Sequence, residues 1–194
     1  MNKYLQKILS LLIISAVINT TAAQTLDITG PAGSERFGTV TVLPNGNYIV
    51  SDPFYDEGAI ANVGAVYLYN GSTHALISTL KGSATDDRVG GSGIIALPGS
   101  NFIVHSWSWH NGAVFNAGAI TWVNGVTGLS GVVSSANSII GSQTNDVPGA
   151  RTDILANGNY VISTPYWSNG ALTQAGAITW CSGTTGKSGV IGAS

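Results

Sequence analysis

Leu155-Ala156-Asn157-Gly158-Asn159-Tyr160-Val161-Ile162-Ser163 restates an earlier stretch, Leu43-Pro44-Asn45-Gly46-Asn47-Tyr48-Ile49-Val50-Ser51, and more loosely Leu97-Pro98-Gly99-Ser100-Asn101-Phe102-Ile103-Val104-His105. Downstream of each copy lies a second matching segment: Gly64-Ala65-Val66-Tyr67-Leu68, Gly118-Ala119-Ile120-Thr121-Trp122 and Gly176-Ala177-Ile178-Thr179-Trp180. The copies stand 54 and 58 residues apart, so the chain is a tandem array. The middle unit is the longest, because Gly118 to Gly141 spans 23 residues where Gly64 to Gly82 spans 18. Extra residues at that point read as a loop.

Alternation and turn signals give four short strands per unit, in the first about Thr39 to Leu43, Tyr48 to Asp52, Ala65 to Tyr69 and Ala75 to Leu80. Asn45-Gly46 and Asn157-Gly158 pair residue types that tolerate positive φ, which predicts a two-residue hairpin turn between the first two strands. Leu26-Asp27-Ile28-Thr29-Gly30 lies ahead of Phe37-Gly38 as Gly82 lies ahead of Gly90, so the array is expected to open on the outer, last strand of a blade. At the other end Gly189-Val190-Ile191-Gly192-Ala193-Ser194 matches Gly131-Val132-Val133 onward, before a third unit is finished. The expected fold is all-β: a β-propeller-like array of about three four-stranded antiparallel blades. Closed propellers start at about four blades, so the ring is incomplete. The missing blades lie in a longer gene product or another chain, or the array stays open.

Composition supports a folded β protein, with 44% hydrophobic residues, 8% charged residues and 26 glycines. Lys3 and Lys7, an apolar run from Ile8 to Ile18 broken only by Ser10 and Ser15, and small Thr21 and Ala23 ahead of Gln24 mark residues 1–23 as a signal peptide. That run is too short for the roughly 20 residues of a membrane span. Residues 24–194 then form one repeat domain with units at about 37–89, 90–148 and 149–194, secreted or displayed on the cell surface. Past the leader, five basic residues face nine acidic ones, which leaves no basic face for nucleic acid. The single cysteine, Cys181, permits no intrachain disulfide and reads as a small buried hydrophobe.

Phe37-Gly38-Thr39-Val40, Asn47 to Pro53 and Gly64 to Tyr69 resemble FG-GAP blades of integrin-α-type propellers. Leu-x-Asn-Gly-Asn-Tyr-Val, Gly-Ala-Ile-Thr-Trp, Thr-Gly-x-Ser-Gly-Val and Asn137 to Ser142 resemble more closely the tandem repeats of bacterial hemagglutinin-like or adhesin-like surface proteins. The resemblance implies surface display and interaction. FG-GAP blades often carry a calcium loop of alternating carboxylates between their first two strands, whereas 44–47, 98–101 and 156–159 hold none here.

Gly183-Thr184-Thr185-Gly186-Lys187-Ser188 lacks the spacing of a phosphate loop, and its repeat counterpart carries Leu129 in place of the lysine. His74, His105 and His110 do not recur between units, so no catalytic residue is assigned. Asp52, Asp56 and Glu57 read as a solvated acidic loop rather than a metal site. Asp86-Asp87 and Asn145-Asp146 recur between blades, which suits turn capping by short polar side chains. The aromatic column Phe54-Tyr55, Trp107 with Trp109, and Tyr166-Trp167 follows the second strands on the same rim as those aspartates, while Trp122 and Trp180 belong to the core. These rings either plug gaps between blades or stack on a ligand. For the second use Tyr55, Trp109 and Trp167 supply rings, and Asn111 and Asn169 hydrogen bonds.

No cofactor or metal is called for. The leading function is a non-enzymatic surface interaction or adhesion module binding glycan or protein. A structural spacer or fragment of a larger propeller, and an enzyme on a propeller scaffold, are the alternatives.

Overall fold

The computed structural model describes residues 25–192, so residues 1–23, expected to be a signal peptide, lie outside the described residues. Those residues form strands and turns, with no helix among them. The first sheet contains β1 (Thr39–Val42), β2 (Tyr48–Asp52), β3 (Ala65–Tyr69) and β4 (Leu76–Lys81). The second contains β5 (Ile94–Ala96), β6 (Phe102–Ser106), β7 (Ala119–Val123) and, after a short β8 (Gly131–Val132), β9 (Ser138–Ile140). The third contains β10 (Arg151–Ile154), β11 (Tyr160–Thr164) and β12 (Ala177–Cys181), followed by β13 (Gly189–Val190).

The sheets hold five, five and three strands, in the orders β1-β2-β3-β4-β8, β5-β6-β7-β9-β13 and β10-β11-β12, and so depart from uniform four-stranded blades. The antiparallel four-strand meander is present twice, but each copy gains a fifth, parallel strand donated by the following repeat. β8 pairs with β4 through Leu80↔Gly131 and Lys81↔Val132, and β13 pairs with β9 through Ile139↔Gly189 and Ile140↔Val190. The longer segment expected to hold a loop does hold a turn, over 133–137, but ahead of it the Gly-Val pair of β8 satisfies backbone groups that the edge of β4 would leave open. Leu26 to Gly30, expected as an outer strand, pairs with no strand among the described residues, although Ile28 packs on the first sheet.

The hairpin turns also differ from the two-residue form. Leu43 N–H donates to Asn47 O at 2.8 Å and Gly46 N–H to Leu43 O at 2.9 Å, and only Gly46 takes positive φ, at 85°. This is a three-residue loop with a glycine bulge. Asn45 keeps an ordinary φ and caps the turn instead, its Oδ1 accepting from Asn47 N–H at 3.1 Å.

Because side chains alternate across a strand, each middle strand feeds two cores. Ile49, Val66, Leu68 and Leu80 of the first sheet meet Phe102, Val104, Ala119 and Val123 of the second. Ile103, Ile120 and Ile139, on the opposite face of the second sheet, meet Tyr160, Ile162 and Cys181 of the third. Burial of each such Leu or Ile is worth about 1.5–3 kcal/mol, so the sheet-to-sheet faces dominate stability. The third sheet turns its far face to solvent. Trp180, expected in the core, is 56% exposed there, because no following sheet covers it among the described residues.

Candidate functional site: the loop rim and its aromatic column

The loops after the second and fourth strands meet along one rim, and two aspartates stitch it. Asp87 Oδ2 accepts from Ser83 N–H and Ala84 N–H, both at 2.8 Å, while its Oδ1 accepts from His110 N–H in the next repeat at 2.9 Å. Asp146 repeats the arrangement with Ser142 and Gln143 at 2.8 Å and with Ser168 N–H of the next repeat at 3.1 Å. Both carboxylates are fully buried, so each is a charge neutralised by backbone dipoles. The capping role read from the repeat is seen at both positions, and it extends between repeats.

The acidic loop of the first unit is divided among separate partners. Asp52 accepts from Glu35 N–H at 3.2 Å and Arg36 N–H at 3.0 Å, Asp56 accepts from Asn62 N–H at 2.7 Å, and Glu57 pairs with Lys81 at 2.6 Å. That ion pair holds the Glu57 carboxyl below its usual pKa. Among the described residues no three His, Cys, Asp or Glu side chains converge on a cation position.

The proposed stacking rings sit against the sheets. Trp109 is 5% exposed and belongs to the core between the first two sheets. Trp167 packs on the core between the second and third, and Tyr55 sits edge-on to Tyr67 with centroids 6.4 Å apart. Asn111 and Asn169 open tight turns in which their N–H groups donate to Val114 O at 3.0 Å and Leu172 O at 2.9 Å. Asn111 also donates through Nδ2 to Gly141 O at 3.3 Å, whereas Asn169 is exposed.

Tyr55 and Trp167 are half-buried, and two neighbouring rings are more open to solvent. Trp107 is 41% and Tyr166 54% exposed. Tyr166 lines a groove of about 460 Å³ between the second and third repeats, with Gln143, Asn145, Ser168, Thr173 and Gln174. One repeat earlier, the positions of Ser168 and Thr173 hold His110 and Phe115, whose rings meet edge-to-face at 4.9 Å. The sequence puts Tyr166 in the aromatic column but favours its neighbour Trp167, whose position is aromatic in all three units, whereas Tyr166 aligns with Ser108 in the second; Gln174 carries no such signal.

The histidines are held in unrelated settings. His105 is buried, its Nε2 3.3 Å from Thr152 Oγ1, and burial pushes its pKa down to about 4. His110 Nδ1 lies 3.0 Å from Asp87 Oδ1, and His74 stands beside the Tyr48 ring. Burial pushes the Cys181 thiol up to about 11, the signature of an unreactive structural cysteine. Gly183, in the segment that superficially resembles a phosphate loop, offers its carbonyl to Asn101 Nδ2 at 3.0 Å and Trp122 Nε1 at 3.1 Å. Among the described residues no helix is long and apolar enough to cross a membrane.

Comparison with known families matches a tandem unit described as a repeat of unknown function (DUF5650) at residues 42–91, 96–150 and 154–194. The chain belongs to this repeat family. Each matched segment starts at the end of a sheet's first strand and contains that sheet's second and third strands, while β8 and β13 fall in the segment after the sheet they complete. No curated protein matches the chain.

Proposed function

We propose that this member of the repeat family is an exported, non-enzymatic interaction module whose sheets are arranged as propeller blades and whose rim groove binds a glycan. The observation that carries the ligand reading is the exposed Tyr166 ring in a groove lined by the amides of Gln143, Asn145 and Gln174. Side-chain amides both donate and accept, which suits sugar hydroxyls, and an exposed phenol ring offers a face to the apolar C–H side of a pyranose. Contact between β1 and β5, the first strands of the first two sheets, supports the blade arrangement. The non-enzymatic reading draws on the scattered settings of His74, His105 and His110.

A glycan array followed by calorimetry on the best binder tests the site. Tyr166→Ala and Gln174→Ala should each weaken binding a few-fold to about tenfold, as expected for losing one ring or one hydrogen-bonding amide, without shifting the melting temperature. Binding that is unchanged in both variants, or an array with no bound glycan, would overturn the site. The spacer reading is favoured by a different observation, namely that Asp87, Asp146, Asn47 and Asn101 are all committed to ties between repeats.

A further inference from the structure

The two ends of the stack are complementary. On the third sheet, Val161, Ile178 and Trp180 share the face turned away from the second sheet, as the pairing Val161↔Trp180 and Ser163↔Ile178 requires. Their counterparts one repeat earlier are Ile103, Ile120 and Trp122, which the third sheet covers. Ile178 is 70% exposed where Ile120 is 1% exposed. The third sheet also lacks a fourth strand: among the described residues nothing pairs with the free edge of β12, the position β4 and β9 fill beside β3 and β7.

At the opposite end lies a segment that matches a fourth strand in sequence but pairs with no sheet among the described residues. Leu26-Asp27-Ile28-Thr29-Gly30 aligns through Gly30 with Gly82 and Gly141, so Ile28 corresponds to Leu80 and Ile139. Those two residues pack on the sheet that follows their own, and Ile28 packs in the same way on the first sheet, in a cluster with Val50, Tyr67, Tyr69 and Phe37. That cluster is half an inter-sheet core. Val40 and Val42 on the same face remain exposed, whereas their counterparts Ile94 and Ala96 pack against the preceding sheet.

A polar tie is unfinished in the same sense. Asn47 Oδ1 accepts from Gly71 N–H at 3.1 Å while its Nδ2 donates to Gly125 O of the next repeat at 2.8 Å. Asn101 likewise accepts from Gly125 N–H at 3.3 Å and donates to Gly183 O at 3.0 Å. Asn159 accepts from Gly183 N–H at 3.1 Å, but among the described residues its Nδ2 has no next-repeat carbonyl. The outstanding acceptor in this series is Gly71 O.

We propose that the chain associates head to tail with a second copy of itself, the segment Leu26–Thr29 of one copy completing the third sheet of the other. The registers of β3 with β4 and of β7 with β9 give the pairing across the contact. Lys81↔Ala65 and Ile140↔Ala119 set Thr29 opposite Ala177, and Leu80↔Val66 and Ile139↔Ile120 set Ile28 opposite Ile178. Leu68↔Ser78 sets Leu26 opposite Trp180, bringing together two large side chains that are each exposed in the single chain. Asn159 Nδ2 then reaches Gly71 O of the second copy. The Arg151–Asp153 ion pair on the open face is internally neutral and opposes no charge to the contact. Closure with two copies rests on the blade reading above: the described residues of two copies bring six sheets, within the range of about four to eight that propellers close, where those of one or three copies fall outside it.

Light scattering on the purified chain over a concentration series should give the mass of a dimer. Ile178→Lys, at a residue exposed in the single chain, should give a monomer that melts cooperatively. Ile28→Lys should also give a monomer, and mixing these two variants should restore a dimer, because one wild-type strand then meets one wild-type face. In a separate chain carrying Ile28→Cys together with Ile178→Cys, oxidation should yield a covalent dimer. A wild-type monomer at all concentrations, or no recovery in the mixture, would overturn the contact. An open ladder of larger oligomers abolished by Ile178→Lys would overturn two-copy closure and assign the failure to the blade reading.

Discussion

The carboxylate of Asp87 binds the backbone of His110, 23 residues downstream, with Oδ1 2.9 Å from the amide nitrogen while Oδ2 closes its own turn. Asp146 and Ser168 stand in the same relation one repeat later. Each aspartate therefore couples a turn to the loop of the following sheet, and no neutral side chain of that size accepts all three bonds as strongly.

Asp87→Ala leaves three backbone N–H groups in a buried setting without an acceptor. Unpaired buried donors cost about 1–3 kcal/mol each, with partial relief from entering water, so a total loss of about 2–4 kcal/mol is expected. Asp146→Ala should match it. Chemical denaturation of both variants checks this, and a loss below 1 kcal/mol in each would show that the ties are dispensable.

Gly125 faces the carbonyl of Ser100 so closely that an added Cβ would collide with backbone, and Gly71 and Gly183 face Gly46 O and Gly158 O in the same way. Gly125→Ala must separate the hairpin turn at Ser100 from the turn that follows β7, breaking the Asn101 bridge as well. A destabilisation of about 2 kcal/mol or more is expected, from strain and lost hydrogen bonds together. Gly46→Ala, which meets open space but forces positive φ on alanine, should cost only about 1 kcal/mol. The ratio of the two in a melting assay separates steric from conformational need.

His105 is buried with a pKa near 4 against an ordinary 6.5. Above pH 6.5 the ring is neutral folded and unfolded. As pH falls toward 4 the unfolded chain takes up a proton that the native state refuses, so stability falls, by roughly 3 kcal/mol at most. His105→Gln should flatten that part of the pH dependence. Urea unfolding of both proteins at pH 7.5 and pH 4.5 provides the comparison, and parallel losses would exclude His105 as the source.

The repeat period and the middle strands were legible because Ile49, Ile103 and Val161 recur in fixed register with their glycines. The donated strand was not. Gly131-Val132 carries only two residues, and its partner Leu80 lies in the preceding unit, so periodicity within one unit holds no trace of it. Trp180 shows the limit from the other side: its sequence is that of Trp122, and its exposure is set by whether a further sheet follows. Asn45-Gly46 signalled a turn at the right place, but the capping bond to Asn47 selected the longer loop.

The aromatic column separates into two kinds of ring, and substitution should tell them apart. Trp109 lies in the core between sheets at 5% exposure, so Trp109→Ala should cost about 3–5 kcal/mol. Trp107, two residues earlier and 41% exposed, should cost well under 1 kcal/mol when replaced. The same contrast holds for Trp167, packed between sheets, and Tyr166, open to the groove. Melting of the four alanine variants, run beside glycan binding, therefore yields opposite patterns: the variants of buried Trp109 and half-buried Trp167 lower melting, while the Tyr166 variant lowers binding alone. Loss of binding confined to the Trp107 variant would move the ligand to the other side of the rim, and equal melting losses across all four would mean that the exposed rings are packing residues as well.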